Sequence, residues 1–173
     1  MLGKDYEGQD CSLARALEVV GERWTLLILR DAFYGVRRFS DFCEHLDIPR
    51  AVLSDRLNGL VEHELMERRP DPERPGRELY ELTPSALELW PALHTLMSWG
   101  SRYRDRPGTP RRFMHAKCGT KLDKHSHCPK CGFIPPVKDV VTVGGRVPFR
   151  DDRVSAALQP KRRMLEPLAV VDR

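Results

Sequence analysis

Three cysteines and a histidine dominate the chemistry open to this sequence. Cys128-Pro-Lys-Cys131-Gly132 has the spacing of a zinc knuckle. A two-residue gap lets both thiolates and nearby backbone N–H groups converge on one ion, and glycine takes the turn that a side chain would obstruct. His115-Ala-Lys-Cys118-Gly119 repeats that spacing with histidine in the first position. Together His115, Cys118, Cys128 and Cys131 would close a tetrahedral site with no position left for water or substrate. The expectation is one structural Zn2+ per chain. His125 and His127 are rivals for the fourth place. Adjacency to Cys128 disfavours the His127 ring, while His125 stays open on spacing alone. Cys11 and Cys43 bring the cysteine count to five. An odd number, three of them crowded together, argues against a disulfide framework and for metal binding in a reducing compartment.

Little else points to catalysis. There is no H-E-x-x-H arrangement, no nucleophile elbow and no phosphate loop, so an enzyme is not expected. No stretch approaches the roughly 20 apolar residues of a membrane span, so no membrane partner is expected. MLGKDYEGQDC lacks a secretory apolar core, and cytoplasmic residence is the expectation. The net charge of +4 hides an asymmetry: residues 1–106 carry 15 Lys and Arg against 19 Asp and Glu, while residues 107–173 carry 14 against 6. Bulk charge therefore does not mark the first part as a nucleic-acid binder, and any such case rests on local arginines.

Three regions follow from composition: 1–106, rich in helical patterns; 107–150, rich in Gly, Pro, Cys and His; and a basic tail, 151–173, with little periodicity. The fold class expected is mainly α with a small β-hairpin, plus a small zinc-ribbon-like module. Leu13, Ala16, Leu17 and Val20 share one face of a helix over 12–20 that Gly21 ends. A helix over 23–33 is apolar on a broad surface, which places it at the centre of the core. Ser40 reads as the N-cap of a short helix over 41–46. Asp47-Ile48-Pro49 breaks the chain, and Pro49 opens a helix over 49–63 that buries Leu53, Leu57 and Leu60. Its other face presents Arg50, Ala51, Ser54, Asp55 and Asn58.

A short helix, a tight turn and a second amphipathic helix with a polar outer face make a helix-turn-helix. Two extended segments then flank the tip Pro70-Asp-Pro-Glu-Arg-Pro-Gly-Arg77, which reads as a hairpin and, after a recognition helix, as a wing. Its Arg68, Arg69, Arg74 and Arg77 suit phosphates or a minor groove, although Glu67, Asp71, Glu73 and Glu78 balance them in a simple count. Thr83-Pro84 starts another helix, Pro91 kinks or restarts it, and Leu93, Leu96, Met97, Gly100 and Tyr103 form an apolar stripe. That stripe exceeds what one small core needs and suits a second subunit.

Cys11-Ser12-Leu13, the run Gly21-Glu-Arg-Trp24-Thr-Leu-Leu-Ile-Leu-Arg-Asp31, Gly35-Val-Arg-Arg38-Phe39-Ser40, Leu53 with Arg56-Leu57 and Leu60, Tyr80-Glu-Leu-Thr-Pro84, and Trp99-Gly100 together resemble the HxlR-type winged helix-turn-helix regulators, relatives of the MarR group. The likeness spans about residues 11–103. It departs from the family at Glu64-Leu65, where a Gly usually precedes the Leu, and at Pro49, where a Ser is usual. The resemblance implies a homodimer on a pseudo-palindromic operator, often as a repressor. Recognition helices would then enter successive major grooves of double-stranded DNA. It implies that Arg50, Ala51, Ser54 and Asp55 face base edges. Arg37, Arg38, Ser40 and the wing arginines would hold the backbone, with Arg38 as a core-capping side chain an equal alternative. It also implies that Cys11 stands where some members keep a redox- or electrophile-sensing thiol, against the alternative of an inert cysteine. Cys43 reads as packing. The expectation is a dimeric transcriptional regulator, responsive to a small molecule or to redox state, with a structural zinc module. An adaptor whose zinc module recruits a protein, and a zinc enzyme, are the alternatives.

Overall fold

The structure is a computed structural model that describes residues 6–104, 111–144 and 152–169. The boundaries expected at 106/107 and 150/151 lie outside the described residues. Helices α1 (Ser12–Val20), α2 (Thr25–Phe33), α3 (Phe39–Leu46) and α4 (Arg50–Glu62) lead into the hairpin β1 (Met66–Pro70) and β2 (Glu78–Leu82). Short α5 (Pro84–Leu87) and long α6 (Trp90–Tyr103) follow. Then come β3 (Arg112–His115), β4 (Val140–Val143), α7 (Arg153–Ala157) and β5 (Arg162–Arg163). The two sheets are β1-β2 and β3-β4-β5, both antiparallel. The fold is mainly helical with a small antiparallel hairpin, as its hydrophobic periodicities predict.

α2 is the central helix, and its Ile28, Leu29, Ala32 and Phe33 are buried. Leu53, Leu57 and Leu60 of α4 are buried beside it, one face of a 3.6-residue repeat. The start of α3 differs from expectation. Ser40 is not a cap: it sits inside the helix and is exposed, and the cap position belongs to Arg38, whose side chain makes no capping bond. The reason is tertiary. Arg38 is extended and forms an isolated bridge with Leu79, while Tyr80 N–H donates to Arg37 O at 2.8 Å, so Arg37-Arg38 is pinned to the edge of the hairpin. The helix can begin only at the next residue. Likewise Pro49 caps α4 from outside rather than opening it.

α4 ends in a Schellman motif. Leu65 N–H donates to Leu60 O and Glu64 N–H to Val61 O, at 2.9 and 3.1 Å. The motif requires a left-handed residue, and Glu64 takes φ +55°, where glycine is at ease and a side chain costs about 1–2 kcal/mol. The Glu64-for-Gly departure thus falls at a left-handed position that favours glycine. Glu64→Gly is expected to stabilise the fold by about 1 kcal/mol, read as a rise in urea midpoint at unchanged slope. A fall in midpoint would mean that Glu64 makes contacts worth more than its strain.

The C-terminal segment is part of the core rather than a loose tail. Val154, Leu158, Met164 and Leu168 are buried. β5 pairs with β4, Thr142 opposite Arg162. The chain then crosses the turn after α2: Leu165 N–H donates to Phe33 O at 2.8 Å, and a Cβ on Gly35 (φ +93°) would stand 1.8 Å from Glu166 O. α7 lies on α3, with Arg153 donating to both carboxylate oxygens of Asp41 at 3.2 Å and His45 Nδ1 3.0 Å from Asp152. Trp90 of α6 packs at 5.3 Å from both Phe33 and Phe113, so aromatic rings join the helical part to the β3 sheet in one core.

Candidate nucleic-acid interface and metal centre

The outer face of α4 is solvent-facing. Arg50, Ala51, Ser54, Asp55 and Asn58 are all exposed, because the leucines at 53, 57 and 60 occupy the opposite side. The Arg50 guanidinium lies over the Phe39 ring, 5.1 Å from its centroid, which orients it at the first turn of α4 without neutralising it. Asp47 makes the turn between α3 and α4 at φ +53°, and Ile48 behind it is buried.

The arginines of the hairpin region fall into two groups. Arg38 points inward: its Nε and Nη2 donate to Asp71 at 2.7 and 3.2 Å, and Nη2 reaches Glu73 at 2.7 Å. Hydrogen bonding to Arg38 holds the buried Asp71 carboxyl below the usual carboxylate range, despite burial acting the other way. Asp71 Oδ1 also accepts from Glu73 N–H at 3.0 Å, so one fork fixes the wing tip to the start of α3. Arg37 is paired with Glu81 at 2.6 Å. Arg68 bridges the wing to α4 through Asn58 Oδ1 at 2.5 Å. The second group faces water: Arg69, exposed and beside Glu67 at 2.8 Å, and Arg77, exposed at the tip, with Arg74 half-buried between. The structure thus joins the wing to the exposed face of α4 through Arg68 and Asn58, leaves Ser40 exposed on α3, and assigns Arg38 an internal partner.

The metal-ligand set is brought together as spacing predicts. One ligand atom each from His115, Cys118, Cys128 and Cys131 lies within 4.8 Å of the others. Cys118 Sγ is 3.4 Å from His115 Nδ1 and 3.5 Å from Cys128 Sγ. The two knuckles share one geometry. Gly119 N–H donates to His115 O and Gly132 N–H to Cys128 O, both at 2.9 Å, with φ +68° and +78° at the glycines. Each backbone turns back one residue after its second ligand, where a Cβ would strain. Hydrogen bonds from the Thr120 hydroxyl and backbone N–H hold the Cys118 thiol down at about 6. One imidazole and three thiols in a closed set of four fit a tetrahedral Zn2+ in composition and in spacing. His125 is exposed and His127 half-buried, and neither belongs to the cluster. Their backbone N–H groups both donate to Asp123 Oδ1 at 2.9 Å.

Cys11 is exposed and occupies the N-cap of α1. Cys43 is half-buried on α3, its Sγ 3.4 Å from Ile48 O. Patterning missed the strap of residues 152–168, whose partners on α2 and α3 lie more than 100 residues away in sequence. Only its spaced apolar residues, Val154, Leu158, Met164 and Leu168, could have signalled burial. No described helix is long and apolar enough to cross a membrane.

Residues 19–107 match the HxlR-like helix-turn-helix family. An HTH-type transcriptional regulator of Mycobacterium tuberculosis is 48% identical over 132 residues, covering 76% of this chain and 82% of that one. YodB of Bacillus subtilis, also an HTH-type transcriptional regulator, is 29% identical over 51% of this chain and 80% of its own length. Among solved structures, the candidate transcription factor PA1607 superposes with a TM-score of 0.62 at 34% identity, over 68% of this chain and 83% of that chain. The redox regulator HypR in its oxidised form gives 0.52 at 25%, over 56% and 100%. The family match spans half of the chain and the mycobacterial likeness reaches well beyond it. On the winged helix-turn-helix geometry and these matches, the chain belongs to the HxlR family of helix-turn-helix transcriptional regulators.

Proposed function

We propose that this protein is a sequence-specific DNA-binding regulator, a repressor acting as a homodimer on a pseudo-palindromic operator, and that each chain holds one structural Zn2+. The observation that carries the reading is the exposed, polar first half of α4 set beside a wing that Arg38 and Asp71 fix in place. In this reading Arg50, Ala51, Ser54 and Asp55 meet base edges in the major groove. Ser40, Arg37, Arg69, Arg74 and Arg77 meet phosphates, and Arg68 spans the seam between wing and helix. Arg38 organises the wing from inside. The zinc ligands are His115, Cys118, Cys128 and Cys131, and the ion would tie two backbone turns into one small module.

The dimer reading rests on exposed apolar side chains of the packed helices α2 and α6, Leu27, Leu96, Trp99 and Tyr103, with Leu13 and Leu17 exposed on α1 as well. Trp99 alone is 50% exposed. A patch of this kind is characteristic of a subunit interface. Binding to the DNA upstream of the chain's own gene tests the reading. The wild type is expected to bind two chains per site with nanomolar affinity and at least 1,000-fold preference over unrelated DNA, about the ratio usual for specific regulators. The Leu96→Glu, Trp99→Glu double variant is expected to sediment as a monomer and to lose at least 100-fold in operator affinity. Full affinity in a monomeric variant would exclude the dimer.

Cys11 is read as a thiol sensor because it is exposed at the N-cap of α1 and because a similar solved structure is described as a redox regulator. Treatment with diamide is expected to weaken operator binding of the wild type and to leave Cys11→Ser unaffected. An equal response in both would assign sensing elsewhere.

A further inference from the structure

The two knuckles are built alike beyond their glycine turns. His115 N–H donates to Thr120 O as Cys128 N–H donates to Phe133 O, both at 2.9 Å. Lys117 and Lys130 therefore hold the same place, one residue before the second ligand of each turn, and both are exposed. One ligand atom from each of the four metal ligands lies within 4.8 Å of the others, so the two lysines stand beside the same centre. The next places differ. Where the first knuckle has Thr120 and Lys121, the second has Phe133 and Ile134, 45% and 47% exposed. The turn itself is thus met by polar side chains, and the exposed apolar pair is no demand of the fold. Every residue from 129 to 134 is exposed, so the second knuckle protrudes. His115 fixes one side of the Phe133 ring, centroids 5.5 Å and planes 77° apart, and the rest of that ring faces water.

The surroundings are cationic. Residues 112–143 carry six Lys and Arg against two Asp, and all six cations are exposed. Both acids are engaged: Asp123 Oδ1 accepts the His125 and His127 N–H groups at 2.9 Å, and Asp139 lies 3.8 Å from Arg163. Among the described residues no carboxylate is paired with any of the six. Even with three thiolates on a Zn2+ the module stays positive. A protruding aromatic ring set between lysines is a platform on which an unpaired base can stack while the cations take its phosphates. A duplex hides its base faces, and a peptide is taken by a groove or a free strand edge, neither of which a protruding turn offers.

We propose that this tip binds single-stranded DNA, one base stacked on Phe133, the next against Ile134, and Lys117 and Lys130 on the flanking phosphates. DNA is favoured over RNA by the side chains present. No exposed residue of the two turns carries a hydroxyl or amide to read a 2′-OH, the Thr120 hydroxyl is bonded to Cys118, and Ile134 suits the methyl group of thymine. The choice of DNA also rests on the regulator reading, in which α4 keeps DNA close; the stacking surface does not.

The test is fluorescence anisotropy of a labelled twelve-nucleotide oligothymidylate on the full-length, zinc-loaded protein, with the zinc content of every variant read by native mass spectrometry. Micromolar affinity is expected, at least tenfold tighter than a poly-glutamate of equal charge and at least threefold tighter than oligouridylate of the same length. Phe133→Leu keeps an apolar cover on His115 but removes the ring, and is expected to weaken oligothymidylate at least fivefold at unchanged salt slope. The Lys117→Gln, Lys130→Gln double variant is expected to lower the salt slope by about 1.4, the single-strand value for two phosphates. Both proteins should keep one zinc per chain and bind the operator duplex as the wild type does. Poly-glutamate binding as tightly as oligothymidylate would make the tip a dock for an acidic protein, and tighter oligouridylate would assign it to RNA; either overturns the proposal. So would an affinity untouched by Phe133→Leu, a salt slope unchanged in the lysine pair, or binding lost in Arg77→Ala, which would put the strand on the wing. Absence of operator binding, with oligothymidylate binding still dependent on Phe133, would instead refute the function proposed above and leave this surface standing.

Discussion

Arg50→Ala is expected to reduce operator affinity 10- to 100-fold while leaving binding to unrelated DNA almost intact. Arg50 is exposed in the first turn of the second helix of the helix-turn-helix, and its guanidinium is held over Phe39 rather than by a carboxylate. An arginine so placed keeps its charge and its fork free for guanine O6 and N7, a contact worth about 1–3 kcal/mol of discrimination. Unrelated DNA is held mainly by phosphates, so that affinity and its salt dependence persist. Arg77→Ala is the matched control. Arg77 is exposed at the wing tip, and its removal should weaken all sequences alike and lower the salt slope by about one. An Arg50→Ala protein that still selects the same operator would move recognition away from α4. Stability should be near wild type, because the lost contact is a single exposed cation–π pair worth about 0.5–1 kcal/mol.

Cys128→Ser is expected to have the larger effect on the protein as a whole. Cys128 is fully buried, and its carbonyl accepts from both Cys131 and Gly132 within the second knuckle. Loss of one thiolate from a closed set of four removes the anchor of a module too small to fold on its own core. Zinc content should fall from one per chain to a small fraction, and stability should drop by at least about 3 kcal/mol, the scale of a lost structural metal ligand. Damage should not stop at the module. His115 is the last residue of β3, β3 pairs with β4, and β4 pairs with β5, which continues into the strap hydrogen-bonded to Phe33 and Gly35. Hydrogen exchange should therefore accelerate in residues 31–46, the turn after α2 and helix α3, as well as around the knuckles. Native mass spectrometry and exchange on the same sample read both effects. Unchanged stability on chelation would remove the metal from the account, and exchange confined to residues 112–143 would uncouple it from the helix-turn-helix.

What the sequence disclosed depended on how local the determining contacts are. The two knuckles are legible because each is a turn of five residues closed by its own local bridge, Met114 with Lys121 and Cys128 with Phe133. The face of α4 was legible because Leu53, Leu57 and Leu60 repeat at helical spacing. The hairpin followed from its Pro and Gly tip. Ser40 was misread as a cap because the start of α3 is set by the pairing of Arg38 with Leu79, a contact spacing does not encode. For the same reason Arg38 could be read either way until Asp71 stood 2.7 Å from it. The strap stayed hidden because Asp152 and Arg153 find His45 and Asp41 across most of the chain. A two-residue β5 has no period to detect.

Protection of guanine N7 from methylation in the major groove tests the central claim most directly, since it reports where α4 sits on the duplex. With the wild-type protein on its operator, two protected patches are expected, related by a dyad and centred about 10–10.5 base pairs apart or a multiple of that. In Arg50→Ala both should fade together. A single patch, or an operator occupied with every major-groove guanine still reactive, would contradict the placement of this helix pair on DNA.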